Sequence, residues 1–139
     1  MPNLNGILET ALYVDDLPVA SRFYEEVMGL SSITRDARLC SFDVAGRSVL
    51  LLFRRGGTLQ GVTAAGGNDI PPHDGSGPVH IAFEADLNAL EDWKRHLADA
   101  GVNILSQTEW SRGGRSLYFR DPDCHLLEIA GTSGTWPGH

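Results

Sequence analysis

The sequence is poor in cysteine, in basic residues and in long apolar runs, and each shortage excludes a class of protein. Two cysteines, Cys40 and Cys124, cannot form a disulfide framework, so we expect reduced thiols and a cytoplasmic protein. No apolar run approaches the roughly 20 residues of a membrane span, and the first residues lack the basic and apolar pattern of a signal peptide. Lys and Arg number 11 against 18 Asp and Glu, and the net charge of −7 argues against nucleic acid and anionic membranes as partners.

What the sequence does contain is enough apolar material for a folded core. Hydrophobic residues make up 42% of the chain and charged residues 21%, which is ordinary for a soluble globular protein. A length of 139 residues suits one domain with a single core. We therefore expect one domain over residues 1–139.

Two stretches of the chain predict the same order of elements: a strand, a helix and three further strands. The first module covers about residues 6–54 and the second about 78–131. The predicted strands are 8–14, 32–35, 39–44 and 48–53 in the first module, and 79–85, 103–108, 116–120 and 125–130 in the second. Asp15-Asp16 is expected to provide the N-cap of a helix in the first module, and Asp86 that of a helix in the second. A shift of 71 residues places Glu9 on His80, and a shift of 77 places Leu51 on Glu128. The pattern is that of an internal repeat.

The segment between the modules, residues 54–77, has a different character. It contains seven glycines and the pair Pro71-Pro72, which predicts a long loop, a linker or a lid. His73 lies in this segment. We interpret it as a solvated loop residue, with a place on a lid over a pocket as the alternative.

The last strand holds a carboxylate, Glu128, among apolar residues. Alternation places Leu127 and Ile129 on one strand face and Glu128 on the other. A buried lone carboxylate needs a cation, a metal or hydrogen-bond donors. The alternative, an exposed carboxylate on a half-solvated strand, is equally compatible with this strand alone.

Three groups of residues, in the order in which they occur along the chain, carry a resemblance to a known superfamily. They are Leu12-Tyr13-Val14-Asp15-Asp16-Leu17 with Phe23-Tyr24 and Gly29-Leu30, then Val79-His80-Ile81-Ala82-Phe83, then Tyr118-Phe119-Arg120-Asp121-Pro122-Asp123 with Leu127-Glu128. In this order the chain resembles the vicinal oxygen chelate superfamily, which includes glyoxalase I, fosfomycin- and bleomycin-resistance proteins, extradiol dioxygenases and methylmalonyl-CoA epimerase. The resemblance implies an α+β fold with two tandem βαβββ modules, whose sheets form a half-open barrel around a metal site.

The resemblance also implies the metal ligands. The superfamily's ligand positions fall on Glu9, His80 and Glu128, whereas a fourth position, a Glu in glyoxalase I, falls on Leu51, which cannot ligate. Two carboxylates and one imidazole suit one divalent ion per site, Zn, Mn, Fe, Ni or Co. The alternative is that the two carboxylates are hydrogen-bonded or paired with arginines in a metal-free ligand cavity. The usual glycine of the last turn is Cys124 here, so we expect a less tight turn.

Other residues are candidates for substrate binding. Tyr13, Leu51 and Tyr118 are candidates for lining the pocket, with aromatic packing as the simpler account of the two tyrosines. Arg115 is a candidate for binding an anionic group of the substrate. Arg54, Arg55 and Arg112 offer the same chemistry, but arginines beside turns are usually solvated.

The sequence predicts a metal-dependent lyase or isomerase of the glyoxalase or epimerase type, acting on a small substrate that chelates the metal. Glu128 and Glu9 are the candidate catalytic residues, because a carboxylate near the metal can move a proton. Alternatives are an extradiol-type ring-cleaving dioxygenase and a metal-free drug-binding protein of the bleomycin-resistance type. We also expect a homodimer with sites shared between subunits, Glu9 from one chain and His80 with Glu128 from the other.

Overall fold

The computed structural model describes residues 1–63, 65–131 and 134–139. The chain divides into two compact units, Met1–Ser76 and Gly77–His139. The fold is mixed α+β, as predicted, with a four-stranded sheet and one α-helix in each unit. The expectation that the two units form a single domain stays a prediction.

The first unit contains the first βαβββ module. Its elements are β1 (Glu9–Val14), α1 (Leu17–Glu26), β2 (Ser31–Arg35), β3 (Leu39–Val44) and β4 (Ser48–Arg54). The sheet has the order β1-β4-β3-β2, with β1 parallel to β4 and the remaining neighbours antiparallel. The segment after β4 adds a small hairpin of two strands, β5 (Val62–Thr63) and β6 (Asp69–Ile70).

The second unit repeats this plan. Its elements are β7 (His80–Ala85), a 3-10 turn (Leu87–Ala89), α2 (Leu90–Asp99), β8 (Ser106–Glu109), β9 (Arg115–Arg120) and β10 (Leu126–Gly131). The sheet has the order β7-β10-β9-β8, and β7 is parallel to β10. Neither helix exceeds ten residues, and within the described part of the chain no helix has the length and apolar character of a membrane span.

Strand register confirms the repeat alignment that the sequence predicted. In the first sheet Ala11 pairs with Leu51, and in the second sheet Ala82 pairs with Glu128. Glu9 pairs with Val49 in the first sheet, and His80 with Leu126 in the second. Leu51 therefore occupies in its own sheet the place that Glu128 occupies in the other.

One face of each sheet is covered by its own helix and forms the core. The largest fully buried side chains are Tyr24, Phe42, Leu12, Leu50 and Leu52 in the first unit and Phe119, Leu90, Leu97, Leu127 and Ile129 in the second. In β1 the buried Leu12 and Val14 alternate with the half-buried Ala11 and Tyr13. The apolar residues thus occupy the helix-covered face of each sheet, and the polar candidate site residues lie on the opposite face.

Helix capping follows the sequence in one module and departs from it in the other. Asp16 caps α1 as predicted, because its Oδ1 accepts a hydrogen bond from the Val19 amide at 3.0 Å. Asp86 makes no side-chain capping bond, because the chain enters α2 through the 3-10 turn. Its predicted capping role is therefore wrong.

The final turn is also tighter than expected. Cys124 takes φ of +65°, the left-handed conformation that glycine adopts most easily. The Cys124 amide donates to the Asp121 carbonyl at 3.0 Å, and the Arg120 guanidinium donates to the Cys124 carbonyl at 2.9 Å. The turn forms with cysteine in the glycine position, so the expected loosening does not occur.

Candidate metal centre

The Glu128 carboxylate is buried on the face of the second sheet opposite α2. Its side chain is only 8% exposed, although Leu127 and Ile129 on either side of it belong to the core. Burial of a carboxylate is costly unless a cation or hydrogen-bond donors compensate for lost hydration. The alternative of a half-solvated surface carboxylate is therefore wrong.

His80 supplies the nearest partner. β7 and β10 are parallel neighbours, and His80 Nε2 lies 3.1 Å from Glu128 Oε2. The His80 side chain is 48% exposed, so the pair has one open side. Parallel pairing of two strands from the ends of the module thus joins residues 48 positions apart.

The other imidazole nitrogen fixes the protonation pattern. His80 Nδ1 lies 2.9 Å from the Leu126 carbonyl oxygen, and a carbonyl can only accept, so Nδ1 carries a proton. In a neutral His80, Nε2 would then direct a lone pair at a carboxylate oxygen. A proton or a metal ion between Nε2 and the carboxylate oxygen would make this contact attractive.

These donors fit a divalent metal ion. Ligating histidines commonly donate their second ring N–H to a backbone carbonyl, as His80 does to Leu126. Nitrogen and carboxylate ligands lie about 2.0–2.2 Å from zinc, so adjacent ligand atoms are about 3.0 Å apart at octahedral angles and about 3.4 Å apart at tetrahedral angles. The observed 3.1 Å lies within this range. Among the residues that the structure describes, no three His, Cys, Asp or Glu side chains are grouped around one point.

Tyr118 completes the polar group on this sheet face. It pairs with Glu128 across β9 and β10, and its ring stacks on that of His80 with centroids 6.3 Å apart. Burial raises the pKa of the Tyr118 phenol above 10, and the Glu128 carboxylate raises it further. The phenol therefore stays protonated at neutral pH and is a hydrogen-bond donor beside the carboxylate.

Glu9 and Leu51 lie together in the first unit. Glu9 is exposed at the start of β1, and Leu51 is half-buried on β4 beside Ala11. Alternation places both side chains on the sheet face opposite α1. The face equivalent to that of His80 and Glu128 thus offers one carboxylate and, at the place of the second ligand, an apolar side chain.

Two of the arginine candidates have structural partners instead. Arg115 is on the opposite face of β9 from Tyr118, and its Nη1 lies 3.4 Å from Oε1 of Glu91 in α2. Arg55 donates to Asp15 Oδ1 at 2.7 Å and to the Gly75 carbonyl at 2.6 Å. The structure therefore does not bring Arg115 to the group around Glu128.

His73 departs most from the sequence-based interpretation. Its Nδ1 lies 2.6 Å from the Tyr13 hydroxyl, and its ring packs edge-on against Phe53 with centroids 4.8 Å apart. The description as a solvated loop histidine is therefore wrong. No pattern around Pro71-Pro72-His73 predicts this contact, because it depends on how the loop folds back over the sheet.

His125 has a structural role. It is 1% exposed, its Nδ1 accepts from the Val79 amide at 3.1 Å, and its own amide donates to Asp121 Oδ1 at 2.9 Å. These bonds tie the last turn to the start of β7. They keep Glu128 and His80 in register.

Comparisons with known proteins agree with this arrangement. The sequence profile described as the Glyoxalase/Bleomycin resistance protein/Dioxygenase superfamily matches residues 6–129. The chain belongs to this superfamily. It is 31% identical over 125 residues to the metallothiol transferase FosB of Bacillus licheniformis, covering 89% of this chain and 73% of the relative. FosB of Shouchella clausii is 27% identical, with 91% and 80% covered.

Solved structures of the superfamily share the fold. The lactoylglutathione lyase from Agrobacterium tumefaciens superposes with a TM-score of 0.84 at 33% identity, covering 94% of this chain and 96% of that one. The fosfomycin resistance protein FosX from Mesorhizobium loti gives a TM-score of 0.64 at 21% identity, with 94% and 95% covered, and shows the fold alone. The relatives support a metal-dependent enzyme of the glyoxalase superfamily.

Proposed function

We propose that the protein is a lyase or isomerase of the glyoxalase type, in which Glu9, His80 and Glu128 hold one divalent ion. The observation that carries this proposal is the buried Glu128 carboxylate 3.1 Å from an imidazole whose other nitrogen is already committed to a carbonyl. A metal ion between the two groups would supply the positive charge that such a contact needs.

The third ligand would come from the first module. Glu9 occupies the strand position equivalent to His80, as the paired registers Glu9–Val49 and His80–Leu126 indicate. Leu51 stands at the position equivalent to Glu128 and has no lone pair, so the site would have three protein ligands and open positions for substrate oxygens. We propose that the protein is a cytoplasmic homodimer and that Glu9 comes from the partner subunit.

A bound divalent ion would act as a Lewis acid on two neighbouring oxygens of a small substrate. The side chains around it have roles of their own. Glu128 or Glu9 would accept a proton from the carbon next to the substrate carbonyl and return it to a neighbouring atom. Tyr118, which stays a phenol, would donate a hydrogen bond to a substrate oxygen, and the apolar Leu51 would exclude water from the other side.

A second candidate is transfer of a thiol, which the 31% identity to a metallothiol transferase favours. In that reaction a thiol sulfur bonds to an epoxide carbon, the carbon–oxygen bond breaks and the alkoxide takes a proton. Ring-cleaving dioxygenation is less favoured, because its usual triad has two histidines and one carboxylate.

Two assays on protein loaded with Zn, Mn, Fe, Ni or Co in turn would separate these functions. Glyoxalase activity is measured with methylglyoxal and glutathione as formation of the thioester. Thiol transfer is measured as loss of free thiol in the presence of fosfomycin, the antibiotic for which the FosX structures are named.

The matched control is Glu128→Gln, which keeps the volume of the side chain and removes its charge. We expect the wild type to turn over substrate in one of the two assays and Glu128→Gln to turn over none in that assay. Turnover that Glu128→Gln leaves unchanged would contradict the proposed site, and no turnover with any of the five metals in either assay would contradict both proposed reactions.

A further inference from the structure

A second functional group lies on the ligand-bearing face of the first sheet, where the connection between the modules folds back over it. His73 from this connection meets Tyr13 of β1 and Phe53 of β4. Tyr13 and Phe53 are register partners in neighbouring strands, and their rings stack with centroids 6.0 Å apart. Neither the metal ligands nor the proposed proton transfer uses this group.

Each residue of the loop segment 73–75 is hydrogen-bonded to the segment 55–58, which directly follows β4. Thr58 accepts from the His73 amide and donates to the His73 carbonyl, and Asp74 Oδ1 accepts from the Gly56 amide at 3.1 Å. The Gly75 carbonyl accepts from Arg55, which also donates to the Tyr13 carbonyl at 3.2 Å. His73 is therefore a positioned side chain, although it lies in a segment rich in glycine and proline.

Tyr13 determines which nitrogen of His73 is available. Burial raises the pKa of the Tyr13 phenol above 10, and the Asp74 carboxylate raises it further, so the hydroxyl keeps its proton. A protonated phenol can donate to Nδ1 at 2.6 Å, and when it does, a neutral imidazole carries its proton on Nε2. The described residues show one hydrogen bond to the His73 ring, the one at Nδ1. In this tautomer His73 offers one N–H donor.

The position along β1 relates this donor to the proposed metal site. Glu9 and Tyr13 are on the same face of one uninterrupted strand, four residues apart, which is about 13 Å at the usual rise. A group bound by His73 would therefore be remote from the metal. The Asp74 carboxylate and the Arg55 guanidinium both lie near Tyr13, so their opposite charges offset each other and a neutral carbonyl fits the donor better than an ion.

We propose that His73 is a substrate-binding residue that donates from Nε2 to a neutral amide or ketone carbonyl at the end of the substrate remote from the metal. This inference rests on the proposed function for the identity of the substrate. Tyr13 is a positioning residue, because it acts by holding His73 in the required tautomer. The consequence is a substrate longer than the two-oxygen unit that the metal would chelate.

Paired substitutions separate substrate binding from simple fastening of the loop. In His73→Gln the amide nitrogen can occupy the place of Nε2, whereas in His73→Asn the amide oxygen can take the place of Nδ1 and keep the bond from Tyr13. We expect His73→Asn to raise KM for the turned-over substrate about 3- to 10-fold at unchanged kcat. His73→Gln should have a KM much closer to that of the wild type. The reverse order would show a fastening role and overturn the proposal.

A binding measurement on the full-length protein with zinc makes the test independent of turnover. The probe is S-methylglutathione, which has amide carbonyls and no free thiol, and the signal is the Nε2 resonance of ¹⁵N-labelled His73. We expect a saturable shift in the wild type, a smaller one in Tyr13→Phe and a normal one in Glu128→Gln. Turnover of a glutathione substrate with no shift at His73 would overturn the inference alone, whereas a shift without turnover would leave it standing and contradict the proposed function.

Discussion

At the scale of single residues, the pairing of His80 with Glu128 decides how the second module is interpreted. The sequence predicted that both side chains share a sheet face, because strand alternation fixes the direction of each side chain. It left the burial of Glu128 open, because burial depends on Tyr118 and His80 packing around the carboxylate from neighbouring strands. The structure shows that Glu128 is buried. It also shows the contact of His80 Nδ1 with the Leu126 carbonyl, which orients the imidazole and which no sequence pattern predicts.

Cys124 leads to a prediction about stability. A non-glycine residue in the left-handed region is strained by about 1–2 kcal/mol, and glycine removes the strain at some cost in chain entropy. We expect Cys124→Gly to raise the free energy of unfolding by about 0.5–1 kcal/mol, measured by urea denaturation. Cys124→Ala, which removes the thiol and keeps the strain, is the control. Equal stability of the two variants would show that the thiol rather than the backbone sets the cost.

At the scale of elements, the eight strands of the two main sheets and both helices follow from apolar periodicity, and α1 also from its side-chain cap. The β1–β4 and β7–β10 registers even reproduce the shifts of 71 and 77 residues that the sequence alignment gave. The connection could not be predicted in the same way. Its hairpin of β5 and β6 is only two residues per strand, and its anchors are single contacts such as Tyr13 with His73. Contacts of that kind leave no periodic pattern in a sequence.

The packing of this connection is itself testable. A Cβ on Gly75 would lie 2.4 Å from the Tyr13 ring, whereas a Cβ on Gly66 would meet nothing within 4 Å. We expect Gly75→Ala to lower the free energy of unfolding by about 1–3 kcal/mol and to speed cleavage of the segment 73–77 in limited proteolysis. Gly66→Ala should change neither quantity. A silent Gly75→Ala variant would contradict the close approach of the loop to β1.

At the scale of the whole molecule, the chain carries the expected ligands on two separate units. Unit Met1–Ser76 holds Glu9, and unit Gly77–His139 holds His80 and Glu128. If the modules of two subunits pair to form a shared site, each unit keeps its own sheet and helix. The hydrogen-bonded connection between the modules is therefore compatible with such a site. This arrangement stays a prediction.

Mixing two inactive variants tests it. If each site takes Glu9 from one chain and His80 from the other, a heterodimer of Glu9→Ala and His80→Ala chains has one intact site. After subunit exchange, an equal mixture should recover about a quarter of wild-type activity, because half of the dimers are mixed and each has one good site of two. Sites built within one chain would give no recovery. Light scattering on the mixture establishes that dimers are present.

The most direct measurement of the central claim is the metal content of purified protein and four variants, by mass spectrometry after loading with Zn, Mn, Fe, Ni or Co. We expect one ion per chain in the wild type. In Glu9→Ala, His80→Ala and Glu128→Ala the affinity for the metal should fall more than about 100-fold, so that little metal stays bound, because loss of even an outer-shell partner of a ligand lowers metal affinity 10–100-fold. Glu84→Ala is the control, since Glu84 is an exposed carboxylate on the same face of β7 as His80. Metal content that is unchanged by alanine at Glu9, His80 and Glu128 would contradict the account.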